Sequence, residues 1–531
     1  MDKTMDDKPI LLIGFYNPKA LGVRFLERSL ISAGFKVYAV FIKDFNSTKP
    51  GEITKKELSL LKGLVASLDP GLVGLSVMSS LYIETVLSVN DMLRRNFNIP
   101  LAWGGVYASL FPEKCLEHAD FVLRGEGENA IVELADAVLH RKPYQDIKNL
   151  AYRRYRGHGS QAANESPARD IVINELRPLC ENLDELGYPL FIPDNKFFIS
   201  NNRLVHGDPL AASSGYELSA SRGCPFSCSY CCSVNIKRMY TGKGRFVRLR
   251  SVSSVISELE DAMSYMKKIK TVHFWDEIFP CDREWVDEFA RQYALKIRLP
   301  FEIWGHPLKT DDYVISKLAG AGLYKVVMGI QSGSPAIRKE IFHRGETQED
   351  ILEASKILSR RRVPQVIYDF MLRHPFETEN DIRMTYKLCA ELARPFELQL
   401  HGLNFLPGTD IVEIASKHGI AGKYEHDVEQ SMNEQYNIYW GRKSGSDIIN
   451  FLYSLIYVSQ FDTGLALSRY LSSQPKTRLN IFIALILPKL YLPAVKLRFI
   501  YKKAAMFAMA VIAKISLAKS RRKVLQYSEG R

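Results

Sequence analysis

Three cysteines, Cys224, Cys228 and Cys231, stand at CxxxCxxC spacing within Ser221-Arg222-Gly223-Cys224-Pro225-Phe226-Ser227-Cys228-Ser229-Tyr230-Cys231-Cys232. Thiolates are soft ligands for iron-sulfur clusters. Three on one tight loop can hold three irons of a cubic four-iron cluster and leave the fourth open to a small molecule. A zinc knuckle and scattered free thiols are the alternatives, but a structural zinc site wants four closed ligands, and no second CxxC or HxxxH pair lies nearby. Cys232 is an extra thiol, and spacing alone selects Cys231 as the third ligand.

The alternating segment Tyr216 to Ala220 reads as a strand, so the thiols sit on the loop at its carboxyl end. Downstream the βα alternation continues. Strands are expected at Thr271 to Trp275, Phe301 to Trp304, Lys325 to Gly329, Gln365 to Met371 and Glu397 to Leu403. Helices are expected at Ser251 to Tyr265, Arg283 to Ala294, Asp311 to Ala321, Gln348 to Ser359 and Glu379 to Leu392. That is six βα units, and in barrels built of such units reactive residues lie at the strands' carboxyl ends. Upstream, apolar runs at Ile10 to Phe15, Val37 to Ile42, Leu72 to Val77, Leu101 to Trp103 and Phe121 to Leu123 alternate with helical spacing. The pattern describes a doubly wound parallel sheet that binds ligands beyond its strands' carboxyl ends. Small residues stand at those ends: Asn17-Pro18, Ser76 to Ser80 (with Ser79), Gly104-Gly105 and Gly125-Glu126-Gly127-Glu128. Each alone reads equally as an ordinary turn.

The cysteine run, with the aromatic Tyr230 before its last ligand, resembles the radical S-adenosylmethionine superfamily. Gly74 to Ser80, Trp103-Gly104-Gly105 and Arg124 to Glu128 resemble the cobalamin-binding domain of one large subfamily, over about residues 9 to 140. The resemblance implies an α/β fold: an N-terminal flavodoxin-like doubly wound cobalamin-binding domain (1–145), a linker (146–215), a partial (β/α)6 TIM-type radical SAM barrel (216–415) and a helical, basic C-terminal region (416–531). It implies a 4Fe-4S cluster on Cys224, Cys228 and Cys231. Asp276 and Glu277 would stand near the amino group of S-adenosylmethionine, and Gln331 and Ser332 near its ribose and carboxylate. Asn17, Ser76, Ser79, Gly104, Gly105, Gly125 and Glu126 would face cobalamin. Gln331 stands where the family usually has Glu, and an amide can still hydrogen-bond a hydroxyl or carboxylate. The loop Phe15 to Gly22 lacks the DxHxxG histidine that ligates cobalt from below in many cobalamin domains. His306 and His374, in the loops after the third and fifth barrel strands, could each orient a substrate or simply bond backbone.

The implied reaction is one-electron cleavage of S-adenosylmethionine, with an electron donor such as flavodoxin or ferredoxin. Cobalamin would most often serve methyl transfer to an unactivated carbon or to phosphorus. A non-methylating radical enzyme, such as an anaerobic cyclase or ring-forming oxidase, is the alternative, and a cobalamin-binding sensor a more distant one.

The 531 residues are 46% hydrophobic and 24% charged, a globular balance. Of the eight cysteines, Cys115, Cys180, Cys281 and Cys389 are isolated, which fits small buried hydrophobes in a reducing cytoplasm better than a disulfide framework. No export signal is evident. The net charge of +12 is accounted for by residues 471–531, where thirteen Lys and Arg face the single acid Glu529. The remainder is balanced, which argues against a nucleic-acid surface. Residues 141 to about 215, with Arg153, Arg154 and Arg156 and the polar run Ala162 to Arg169, read as a linker, with Phe197-Phe198 as candidates to pack over an active site. Asn433 to Trp440 is aromatic-rich and Ile448 to Leu471 reads as one helix. The apolar runs Ile481 to Pro488 and Ala504 to Ala513 are each too short to span a bilayer. They suit either peripheral contact with the inner face of the membrane, and with it a hydrophobic or lipid-like small-molecule substrate, or packing on the barrel with a basic face outward.

Overall fold

The structure is a computed structural model that describes residues 7–44, 51–154, 171–420 and 446–529. The polar run 162–169 and the aromatic stretch 433–440 lie outside the described residues.

The first half opens with β1 (Ile10–Phe15), α1 (Leu21–Ser32), β2 (Val37–Ile42), α2 (Lys55–Leu68), β3 (Leu72–Ser76), α3 (Ile83–Asn96), β4 (Leu101–Gly104), α4 (Val106–Leu110), α5 (Pro112–Cys115), β5 (Phe121–Leu123) and α6 (Glu128–Leu139). The five strands are parallel in the order β5-β4-β3-β1-β2, the flavodoxin-like arrangement expected. They form because their Val, Ile and Leu runs are buried on both faces: Leu11, Ile13, Val73 and Val122 pack under one helical layer, Ile10, Leu12, Ala102 and Leu123 under the other. Helix α2 begins at a capping box, with Thr54 accepting from the Glu57 backbone N–H and Glu57 reaching back to that of Thr54.

The expected linker is instead part of this domain. β6 (Leu150–Arg153) and β7 (Ile171–Ile173) extend the sheet antiparallel beyond β5; β8 (Lys196–Ser200) runs parallel to β2, and β9 (Arg203–His206) pairs antiparallel with β8. Among the described residues the sheet has nine strands. Phe197 and Phe198 therefore pack within this sheet, against its two core layers. β8 is anchored by Lys196, fully buried and 2.8 Å from Glu27 of α1.

The second half contains β10 (Gly215–Leu218), β11 (Ser221–Arg222), α7 (Cys232–Met239), β12 (Arg248–Leu249), α8 (Val252–Tyr265), β13 (Thr271–Phe274), α9 (Arg283–Lys296), β14 (Phe301–Gly305), α10 (Asp312–Ala321), β15 (Leu323–Gln331), α11 (Gln348–Arg360), β16 (Gln365–Met371), α12 (Glu379–Glu391) and β17 (Glu397–His401). Strands β10-β13-β14-β15-β16-β17 pair in that order, all parallel, as an open barrel. Each barrel helix from α8 to α12 starts on a side-chain cap, from Ser251, Asp282, Asp311, Thr347 and Thr378 in turn. The short antiparallel ribbon β11–β12 flanks the cysteine loop.

After α13 (Asp410–Lys417), the single helix expected at 448–471 is two, α14 (Asp447–Val458) and α15 (Asp462–Ser473). The chain turns at Ser459 to Phe461, where Arg394 donates to the Ser459 carbonyl and so satisfies an orphan acceptor at the helix end. The last helix, α16 (Arg478–Glu529), joins the apolar runs that looked separate, and its Arg478–Ala513 part is long and apolar enough, by length and composition, to cross a membrane. It packs against α14 and lies across the amino ends of the barrel strands. Tyr324 donates its hydroxyl to the Lys502 carbonyl at 3.0 Å, Arg498 donates to the Phe396 carbonyl at 3.2 Å, and Lys502 pairs with Glu397.

Candidate active site

The cysteine loop leaves β10 at the barrel's carboxyl end and is pinned from three sides. Ser229 donates its hydroxyl to the Ile341 carbonyl at 2.5 Å and its backbone N–H to that of Phe342 at 3.1 Å, while Ile411 donates back to the Ser229 carbonyl at 2.9 Å. Phe226 stacks on His306, ring centroids 3.8 Å apart. Cys228 is buried, and the Arg344 guanidinium lies 4.0 Å from its sulfur. Arg344 is itself held by Glu346 at 2.5 Å, by the Gly329 carbonyl at 2.7 Å and by the Tyr230 hydroxyl at 3.1 Å. Burial pushes the Cys224 thiol up to about 11 and raises that of Cys228. A hydrogen bond between neighbouring thiols raises Cys231 and lowers Cys232. Among the described residues no three His, Cys, Asp or Glu side chains converge as ligands of one ion would. A cubane asks for something else, because each thiolate meets a different iron. The donor set therefore suits a three-thiolate cluster, with Arg344 a fixed positive charge beside it.

The loop faces the carboxyl edge of the first sheet across a cavity of about 560 Å³. From the sheet side it is lined by Ser76, Gly104, Gly105, Gly125 and Glu126, and from the barrel side by Gly223, Cys231, Cys232, Trp275 and Glu277. A slot of the same cavity runs into the sheet between Leu12, Gly74, Ala102 and Leu123. Two glycines give the cradle its shape. Gly105 has φ +106° and a Cβ there would lie 2.7 Å from the Val77 carbonyl oxygen; Gly125 has φ +68° and a Cβ would meet the Tyr240 hydroxyl. A wide cleft walled by bare backbone fits a large flat ligand such as a corrin. No His is among the cavity's lining residues.

Several sequence-derived residues converge here and others do not. Ser76, Gly104, Gly105, Gly125, Glu126, Cys231 and Glu277 line the cavity; Cys224 and Cys228, on the same loop, are not among its lining residues. Asp276, fully buried, accepts from Ser221 Oγ and from the Ala220 N–H at 3.2 Å, and burial pushes its carboxyl up to about 7. It braces the base of the cysteine loop, and Glu277, its pKa raised by burial, is the acid that meets the cavity. Asn17 closes a local turn onto the Lys19 N–H, and Ser79 caps a single turn at Leu81; neither lines the cavity. Gln331 ends β15 with φ +70°, and Ser332 is buried and accepts from the Ser334 N–H; both also lie outside the lining. His306 is the ring stacked on the loop, and burial lowers its pKa to about 3, so it stays neutral. His374 is buried, 3.9 Å from Glu377.

Sequence reasoning missed Arg344 and Glu346. Their signal was a charged Arg-Gly-Glu run just before the Thr347 cap, on a loop at a strand's carboxyl end. It also missed that Glu126 is less a ligand group than a clamp. Glu126 receives Arg248 at 2.8 Å and Arg222 at 3.2 Å, Arg222 also meets Glu128 at 2.5 Å, and the Glu126 N–H donates to the Tyr240 hydroxyl at 2.8 Å. Arg222 immediately precedes the cysteine loop, so the two domains are tied ionically at the cavity's rim, and the Arg partners hold the Glu126 carboxyl below its usual range against the opposing effect of burial. Glu126→Gln is expected to lower folding stability by about 2 kcal/mol, below the roughly 3–5 kcal/mol of a fully buried pair because Glu126 keeps some solvent contact. Thermal unfolding of the mutant checks it, with a drop of several degrees expected.

Two family descriptions match this chain: "B12 binding domain" over residues 15–135 and "Radical SAM superfamily" over 218–389. The matched segments are those that meet at the cavity. The chain belongs to the cobalamin-binding group of radical S-adenosylmethionine enzymes, whose cofactors are a 4Fe-4S cluster, S-adenosylmethionine and cobalamin. It is 26% identical over 341 residues to an uncharacterized methyltransferase, PH0819, of Pyrococcus horikoshii, covering 62% of this chain and 66% of that one. It is 23% identical over 360 residues to the cytidylyl-2-hydroxyethylphosphonate methyltransferase of Streptomyces wedmorensis, covering 61% and 63%. The chain thus spans slightly less than two thirds of either relative. Its fold resembles that of the cobalamin-dependent S-adenosylmethionine radical enzyme OxsB, solved with aqua-cobalamin and S-adenosylmethionine bound, at TM-score 0.61 and 14% identity over 98% of this chain and 81% of that one.

Proposed function

We propose that this protein is a cobalamin-dependent radical S-adenosylmethionine methyltransferase that methylates an unactivated carbon, or phosphorus, of a hydrophobic or lipid-like substrate. The observation that carries this reading is the single cavity walled on one side by the cysteine loop and on the other by the bare backbone of Gly104 and Gly105. When bound, the reduced cluster with S-adenosylmethionine supplies a deoxyadenosyl radical, and cobalamin supplies the methyl group. Cys224, Cys228 and Cys231 hold the cluster, and Arg344 offsets negative charge on the Cys228 sulfur. Glu277 offers the one barrel carboxylate in the cavity and is suited to an ammonium group. Trp275, beside Trp304 at 5.7 Å, gives the cavity an aromatic wall for an apolar substrate. Both curated relatives above are named methyltransferases, which favours methyl transfer over hydrogen removal alone.

The electron comes from a small carrier such as flavodoxin or ferredoxin. The enzyme works in the cytoplasm and touches the inner face of the membrane through α16. Mass spectrometry of extracts from cells with and without the protein, followed by anaerobic assay of the candidate compound, tests the reaction. A product heavier by one methyl, with S-adenosylhomocysteine formed alongside, is expected; a product that has only lost hydrogen would overturn methylation.

A further inference from the structure

Helix α16 has two unlike faces. One is spent on the protein. Ala484, Leu487, Ala510 and Ala513 are buried, and Arg498 and Lys502 bond the start of β17. These contacts run along nearly the whole of Arg478–Ala513, roughly 50 Å at 1.5 Å per residue. Threading that length through a bilayer would strip the helix from the barrel end it covers. The apolar composition therefore cannot serve a span while the described packing holds.

The opposite face is apolar and largely exposed; toward its end Lys270, just before β13, reaches over the Phe507 ring at 4.3 Å, beside Ile500 and Lys503. Leu479, Leu490, Leu497 and Ile512 are 66%, 66%, 67% and 66% exposed, and Phe482 and Ile500 are 60% and 63%. At 100° per residue these side chains fall in one stripe. Lys489, Lys496 and Lys503 are exposed and seven residues apart, so they form a straight row along one edge of the stripe. An exposed apolar stripe of this length is unusual on a soluble surface and marks an interaction site. The lysine row names its partner, because apolar side chains at acyl depth beside cations at headgroup level match an anionic bilayer surface. No acidic residue lies between Arg478 and Tyr527 to oppose it.

We propose that the outer face of α16, from Leu479 to Ile515, docks flat on anionic lipid, holding the barrel with its amino end to the membrane and its cysteine loop and cavity on the far side. This deepens the reading of α16 as a peripheral element and is independent of the radical chemistry. The test uses the full chain, under anaerobic conditions, in flotation with vesicles of phosphatidylcholine alone or with phosphatidylglycerol added. Binding is expected only to the anionic vesicles and should weaken as salt rises. The triple variant K489Q/K496Q/K503Q should lower partitioning on the order of 100-fold, at about tenfold or less per lysine. L490D/L497D should abolish it, with thermal unfolding, circular dichroism and S-adenosylmethionine cleavage as checks that fold and site persist. Salt-independent binding to neutral vesicles, or no binding to either, would overturn the proposal. So would a dimer in solution that L490D/L497D dissociates, since the stripe would then face a second copy. Loss of cleavage with binding retained would instead count against the proposed reaction and leave the docking surface standing.

Discussion

Cys228→Ala is expected to lose the iron-sulfur absorbance and all reductive cleavage of S-adenosylmethionine, while the chain stays folded. Cys228 is the most enclosed of the three proposed ligands, 9% exposed, with Arg344 against its sulfur. Removing it leaves two thiolates for three irons. Arg344, which donates to the Tyr230 hydroxyl, and His306, committed to its stack on Phe226, are no replacement for a thiolate; Cys232 is the other thiol on the loop, so the double variant Cys228→Ala/Cys232→Ala is the control for rescue. The packing cost of one sulfur in a half-open loop is about 1 kcal/mol, small beside the loss of a ligand. Iron and sulfide content, the visible spectrum and deoxyadenosine release measure the outcome. The same measurements on the neighbouring pair assign the third ligand: Cys232→Ala should keep the cluster and Cys231→Ala should lose it. The reverse result would move the ligand by one position, and full retention in Cys228→Ala would remove the basis for the cluster site.

Gly104→Leu is expected to weaken cobalamin retention about 10- to 100-fold, the scale of forcing a side chain into occupied space. The backbone tolerates the change: a Cβ at Gly104 meets only Leu123, at 3.9 Å, so the larger side chain projects into the cavity. Gly105 makes the contrast. Even alanine there meets the Val77 carbonyl oxygen and an unfavourable φ, so Gly105→Ala should disturb the loop itself. Cobalamin spectra of protein purified after loading, alongside cluster content, separate the two sites. Cobalamin should fall with iron unchanged in Gly104→Leu, and equal loss of both would contradict a cavity with two distinct walls.

Five parallel strands of the first sheet and the six of the barrel were readable within one or two residues, most of them as apolar runs closed by Gly, Pro or a polar cap; Lys196–Ser200, parallel to Val37–Ile42, was not. Gln365–Met371 is bounded as expected. The edge strands were not. Arg203–His206 is short, largely exposed and pairs antiparallel with Lys196–Ser200, so it carries no buried-run signature, and a domain edge looked like a linker. The same limit governs the site. Gly104, Gly105, Gly125 and Ser76 were legible because strand ends in such folds are where ligands lie, and Cys224, Cys228 and Cys231 because their spacing is chemically specific. Asp276 and Glu277 are adjacent and equally acidic; only the fold turns the first onto Ser221 and the second into the cavity. Glu126 pairs with Arg222 and Arg248, 96 and 122 residues away, and Arg344 reaches the Tyr230 hydroxyl across 114, and no local pattern announces contacts at that range. In α16 the lysines interrupt the apolar runs along the sequence but line up along one edge of the helix, so a linear reading cut in two what the helix joins.

The central claim is that one cavity brings cobalamin and the cluster together. Electron paramagnetic resonance of the full chain, reconstituted anaerobically with both cofactors, tests it most directly by comparing the cob(II)alamin signal with the cluster oxidised and reduced. The shared cavity predicts that reducing the cluster broadens the cobalt signal and speeds its relaxation, and that Cys228→Ala abolishes the effect. Two independent signals, unchanged by the state of the cluster in a protein that retains both cofactors, would contradict it.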